Sequence, residues 1–193
     1  MILVIDTSSA MNALAVLDPL GTVREETLIR ARSPELVDRM REMASRHKLS
    51  KVAVATGPGS FTGLRLGVSF GLGLAMGLRI PIVPLSTLGI QASRSDEPVL
   101  AVAEAGRGRV YFLAPGSNRG LAEPDALPRN LPVAGWLQHA TEAALKAAGL
   151  TFNRDSDLRS FGAAAALQLE SARAVPYGSL KLEYMQSFAA PPK

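Results

Sequence analysis

The 193-residue chain has no cysteine, which excludes disulfides, thiolate metal sites and a thiol nucleophile, and suits a reducing interior. It has only two histidines, His47 and His139, with no HxxxH or HExxH pair, so no local ligand set for a metal exists. Aromatic residues make up 5%, too few for the stacking platform of a free-standing RNA binder. Runs of like charge are also missing. Lys and Arg number 21 against 17 Asp and Glu, a net charge of +4 scattered along the chain, which permits contact with nucleic acid without requiring it. The N-terminus lacks the look of a targeting signal: Met1 to Ile5 is a strand-length apolar run with no basic region before it and Asp6 directly after.

What is present is organised around Val52 to Val83. This stretch reads as a buried strand (Val52–Ala55), a loop Gly57-Pro58-Gly59-Ser60-Phe61, a helix capped by Thr62 and running to about Leu78, and a strand over Arg79–Val83. Gly63, Gly67, Gly71 and Ala75 recur every fourth position, with Gly73 and Gly77 beside them. A mid-helix glycine costs up to about 1 kcal/mol relative to alanine, so this spacing points to a very close backbone approach. The uncharged run Leu66–Leu78, bracketed by Arg65 and Arg79, is shorter than the roughly 20 residues of a bilayer span; the reading is an interior helix and no membrane partner.

Taken in order, Met1–Ile5, Ala13–Leu17 and Val23–Ile29 read as three meandering strands joined by polar turns at Asp6–Ser9 and Asp18–Gly21. Ser33-Pro34 starts a helix whose Leu36, Met40, Met43, Ala44 and His47 share a face. A capped short helix follows over Ser86–Ser93. The polar Arg94-Ser95-Asp96-Glu97-Pro98 then divides the chain into lobes at 1–97 and 98–193. The second lobe opens with a strand-turn-strand unit, Val99–Ala103 and Arg109–Leu113, that echoes the first, with Glu104 placed like Asp6. Ala114–Pro132 reads as loop, Ala134–Ala148 and Ser160–Ala174 as helices, Tyr177–Phe188 as a strand or short helix, and the rest as tail.

Two places could hold chemistry. The Gly57 loop could cradle a phosphate with the amides of the following helix, but a nucleotide P-loop needs lysine after its last glycine and Leu64 stands there; a tight strand-to-helix turn is the plainer reading. Asp6, Thr7 and Ser8, ending a central strand, could hold a Mg²⁺-bound phosphate, against the alternative of an Asx-type turn. Ser60 fails as a hydrolase nucleophile, since Pro58 and Thr62 occupy the elbow's glycine positions. Asp6, Thr7, Ser8, Gly59 and Ser60 therefore form the candidate weak anion or nucleotide contact, and no catalytic, cofactor or metal residue is assigned.

The segments ILVIDTS (Ile2–Ser8), ATGPGSFTGLRLG (Ala55–Gly67) and IVPLSTL (Ile82–Leu88) resemble the bacterial TsaB family, also called YeaZ, in order and spacing across the first lobe. The resemblance implies an α/β, actin-like and Hsp70-like (ASKHA) fold of two βββαβα-type lobes, the second reduced here. It implies a non-catalytic scaffold and activator subunit in forming N6-threonylcarbamoyladenosine at position thirty-seven of tRNA. Its partners would be a metal-binding TsaD-type protein that transfers the group and a TsaE-type ATPase, so ATP and metal would sit on the partners. The isolated chain would form a homodimer, tRNA would be met through the complex, and the location would be cytoplasmic. The alternative is an enzyme in its own right, an ATP-dependent phosphotransferase or a TsaD-like metalloenzyme. The family's pairing surface, carried over to these positions, comprises Leu36, Met40, Met43, His47, Gly63, Gly67, Phe70, Gly71 and Leu74; the alternative is that both stripes pack on the chain's own sheet, which part of each must do. Departures lie at Ser33-Pro34, where the family commonly has a histidine nearby, at Glu104 for aspartate, at the Gly106-Arg107 turn, and around Tyr184.

Overall fold

The computed structural model describes residues 1–183 and contains two β-sheets. The first comprises β1 (Ile2–Asp6), β2 (Met11–Leu17), β3 (Val23–Arg30), β4 (Lys51–Ala55) and β5 (Ile82–Leu85), in the order β3-β2-β1-β4-β5. β1, β2 and β3 run antiparallel to their neighbours; β1, β4 and β5 are parallel. The central strands are buried on both faces, as their unbroken apolar runs require. At the β2–β3 turn, Asp18 accepts the amides of Leu20 and Thr22, both at 2.9 Å, and the Arg24 guanidinium at 2.7 Å.

The second sheet, β6 (Leu100–Gly106), β7 (Arg109–Ala114), β8 (Asn118–Ala122) and β9 (Val133–Ala134), has the order β8-β7-β6-β9, with β9 parallel to β6. This repeats the order of the first four strands of the first sheet. Phe152 makes a single parallel bridge to Val133, in the place where β5 lies against β4. The second sheet is thus a shortened copy of the first.

Among the described residues five α-helices cover the sheets: α1 (Leu36–Arg46), α2 (Phe61–Leu78), α3 (Thr87–Ala92), α4 (His139–Ala147) and α5 (Phe161–Ser171). α1 and α2 close one face of the first sheet over Leu3, Ile5, Leu14, Val16, Val52 and Val54. The opposite face, with Val4, Ala13, Ala15, Ala53 and Val83, is closed by Phe161, Ala164 and Ala165 of α5. α3 instead packs on the second sheet, against Ala101, Ala103 and Tyr111. The two halves have exchanged helices.

Several boundaries differ from the sequence expectation. The α2 cap is Ser60, whose hydroxyl accepts the Gly63 amide, rather than Thr62. α1 begins at Leu36, because Ser33 makes a preceding turn by accepting the amides of Glu35 and Leu36. Arg79 is no strand residue; it ends α2 in the left-handed conformation at φ 56°, so β5 starts at Ile82. The helix expected from Ala134 starts at His139, since Val133–Ala134 pair with β6 and Gly135 lies against the Val102 carbonyl. β8 lies within the stretch expected as loop. The helix expected to Ala174 ends at Ser171. Tyr177–Ser179 is one 3₁₀ turn, and the rest of that expectation, from Tyr184 onward, falls outside the described residues.

Candidate functional site

The strand end Asp6–Ser8 and the Gly57 loop do come together, but they pack against each other. The Thr7 hydroxyl donates to the Gly63 carbonyl at 2.6 Å and accepts the Gly67 amide at 3.1 Å. The Ser60 amide donates to the Ser8 carbonyl at 2.7 Å, and a methyl on Gly59 would stand 2.5 Å from that same carbonyl. From the other side, Glu183 donates its amide to the Thr56 carbonyl at 2.8 Å, and its own carbonyl would lie 2.7 Å from a Cβ at Gly57. Thr7, Ser8 and the Ser60 amide thus make these hydrogen bonds within the chain, while Ser60 itself is exposed.

Asp6 forms the Asx turn, its Oδ1 accepting the Ser8 amide at 2.8 Å and the Ser8 hydroxyl at 2.6 Å. Its Oδ2 is buried and has no hydrogen-bond partner among the described residues. Burial pushes its carboxyl above the ordinary range, against the lowering effect of the two Ser8 hydrogen bonds. The second sheet fills its equivalent position differently. There the Glu104 carboxylate accepts the Gln138 amide at 2.6 Å, capping the start of α4 from β6. Between the sheets lies a cleft of about 620 Å³ with Arg30, Trp136, His139, Glu142 and Asp155 among its lining. Both carboxylates are already matched, Glu142 by Lys146 and Asp155 by Arg94. No cluster of three or more His, Asp or Glu suited to a metal occurs among the described residues.

The pairing face is the other candidate, and here the structure separates what the sequence had joined. Leu36, Met40 and Met43 are buried against the first sheet. Gly63, Gly67 and Gly71 bring α2 onto its own sheet: a methyl at any of them would collide, at Gly63 and Gly67 with Thr7 and at Gly71 with Val54. These six pack within the chain. His47 is half-buried and its Nε2 lies 2.9 Å from Glu25. Phe70 and Leu74, by contrast, line an open apolar groove of about 590 Å³ between α1 and α2. Its other walls are Arg41, Ala44 and Ser45 of α1 and Ser69, Gly73 and Leu78 of α2, and nothing lies within 4 Å of a Cβ at Gly73.

Gly73 and Leu78 escaped the sequence reading, although a signal was available. Leu66, Phe70, Leu74 and Leu78 form a second stripe at four-residue spacing, one position ahead of the glycines, so α2 is apolar on two sides. By length and composition α2 would suffice to cross a membrane, and it is the one such helix among the described residues; here its glycine side lies on β1 and β4.

Comparison with known proteins gives the following. The family model described as "TsaD: tRNA N6-adenosine threonylcarbamoyltransferase" matches residues 32–126. The tRNA threonylcarbamoyladenosine biosynthesis protein TsaB of Bacillus subtilis is 34% identical over 157 residues, covering 73% of this chain and 66% of that protein. The protein of the same name from Escherichia coli is 38% identical over 69 residues, covering 33% of this chain and 30% of its own. The chain thus matches just under two thirds of the length of the first of these relatives and under a third of the second. Among solved structures, YeaZ from Pseudomonas aeruginosa superposes with a TM-score of 0.71 over 95% of this chain and 98% of that one, at 20% identity.

Proposed function

We propose that this chain, as a TsaB (YeaZ)-type protein with the actin-like, ASKHA-type fold, is a non-catalytic scaffold subunit of the machinery that forms threonylcarbamoyladenosine in tRNA. The observation that carries this reading is the open groove between α1 and α2. A helix that already buries one side on its own sheet presents a second apolar side, with Leu78 at 49% exposure. Continuous exposed apolar surface of this kind marks an interaction site. The gap at Gly73 admits a ridge from another helix, so the fitting partner is a helical face with the same geometry, on a TsaD-type protein or on a second copy of this chain. On this reading the TsaE-type ATPase and tRNA join through the assembled complex, nucleotide and metal reside on the partners, and the complex works in the cytoplasm.

The internal hydrogen bonds at Ser8–Ser60 and Glu104–Gln138 favour the scaffold over the alternative of an independent ATP-dependent enzyme, because these groups are already engaged within the chain. The deciding experiment is light scattering of the purified chain, alone and mixed with the TsaD-type protein of its own organism. A dimer that converts to a heterodimer, with both species lost in Gly73→Arg, supports the scaffold. A monomer indifferent to the TsaD-type protein that binds ATP with Mg²⁺ overturns it.

A further inference from the structure

The polar stretch that separates the two sheets in sequence is not a free linker. Arg94, its first residue, is 3% exposed. Its guanidinium donates to Asp155 Oδ1 at 2.7 Å and Gln91 Oε1 at 3.3 Å, its Nε donates to the Arg159 carbonyl at 3.1 Å, and the group stacks on the Trp136 ring at 4.5 Å. Arg159 answers from the other side: its amide donates to the Arg94 carbonyl at 2.7 Å, and its guanidinium to the Ser93 carbonyl at 3.0 Å and to Asp96. At the far edge of the first sheet, both Glu26 carboxylate oxygens accept the first amides of α5, from Phe161 at 3.1 Å and Gly162 at 2.8 Å. These polar ties flank an apolar junction in which α5 covers the first sheet and α3 the second.

We propose that this arrangement is a permanent clasp, with Arg94 as its centre, that holds the two lobes in one fixed relation and removes the hinge motion that two-lobed chains otherwise have. Lobes joined by a small polar interface move relative to each other by default; motion is suppressed when the interface is large and apolar. Here opening would pull Ile90 of α3 and Trp136 out of the apolar cluster they share with the first sheet and α5. It would also part the buried Arg94 guanidinium from the Arg159 carbonyl at the start of α5. No intermediate opening avoids both costs, so closed is the one stable arrangement. The clasp is independent of what the α1–α2 groove binds.

Because the chain has no cysteine, the test is direct. Spin labels at Ser50→Cys and Ala143→Cys, two exposed positions on opposite lobes, report the inter-lobe distance in the full-length protein by pulsed electron resonance. The clasp predicts one narrow distance distribution, identical with and without Mg²⁺-ATP. A second distance population, or a shift on adding Mg²⁺-ATP, overturns it. In the same labelled protein Arg94→Met, which keeps the aliphatic stem and loses the fork, is expected to broaden the distribution, and Arg94→Lys to broaden it less. An Arg94→Met protein that remains folded with an unchanged narrow distribution removes Arg94 from the centre of the device. Should Arg94→Met fail to fold, the unsubstituted labelled protein still decides between one population and two.

Discussion

The hydroxyl of Thr7 stands where a methyl group on Gly67 would have to go, accepting the Gly67 amide at 3.1 Å while donating to the Gly63 carbonyl one turn earlier. A single side chain from the end of β1 thereby binds two residues of α2, and the glycine spacing is the imprint of that contact. Gly67→Ala should lower stability by about 1–3 kcal/mol, the usual cost of forcing a methyl into a filled site. Gly77→Ala, with nothing within 4 Å of its Cβ, should raise stability by up to about 1 kcal/mol. Urea denaturation of both variants tests the pair, and equal effects would contradict the assignment.

The two apolar sides of the α1–α2 pair should answer substitution in different ways. Met40→Ala removes a fully buried side chain and should cost about 2–5 kcal/mol, with any loss of pairing following from lost folding. Leu78→Lys, at an exposed helix end where a cation is favourable, should leave stability within about 0.5 kcal/mol and weaken pairing selectively. Melting temperature and light scattering on the same samples separate the cases.

Asp6 and Asp18 should give opposite pH dependences. The Asp6 carboxyl is raised in the folded chain by burial, so what it contributes is fully present below about pH 4 and is lost as pH climbs through its folded value. Asp6→Asn should therefore be increasingly more stable than the parent as pH rises from about 4 through the folded value of Asp6. The Asp18 carboxyl is held low, first by the Thr22 amide and further by Arg24 and Leu20, so its contribution exists above about pH 4 and disappears as pH falls through the folded value. Asp18→Asn should be less stable at pH 7, with the deficit closing under acid. Melting curves between pH 3 and pH 8 would reveal either sign.

Glu26 caps α5 across the lobe junction, a role ordinarily played by a residue beside the helix start. Glu26→Ala should cost about 0.5–2 kcal/mol, as loss of a cap does, and Glu26→Gln should cost less because one acceptor oxygen remains. Hydrogen exchange at Phe161 and Gly162 should accelerate in Glu26→Ala ahead of amides elsewhere in α5; uniform acceleration would mean a global effect instead.

Much of the first lobe could be read from the chain because its signals are local. The strands at Ile2, Ala13 and Val52 are continuous apolar runs, and Ser86 and Ser160 announce their helices as capping hydroxyls. β8 was illegible because NRGLA has no alternation and is held by pairing with β7. The start of α4 was hidden by the pairing of Val133–Ala134 with a strand more than thirty residues earlier, which no local pattern encodes. A helix apolar on two sides does not declare which side meets its own sheet, and the small residues proved to be the inner side because only they allow contact with Thr7 and Val54. Glu26 and Arg94 could not be found at all, since each acquires its role from partners 135 and 61 positions away.

The exchanged helices also set the order in which the molecule can be completed as it leaves the ribosome. β1 to β5 are all synthesised by Leu85, yet the face bearing Val4, Ala13, Ala15 and Val83 gains the cover of α5 only when Phe161 to Ala165 emerge. At translation speeds of about 5–20 residues per second, that apolar face lacks α5 for several seconds on the nascent chain. A stop codon anywhere between α3 and α5 would release a product in which the cover that α5 gives that face is missing.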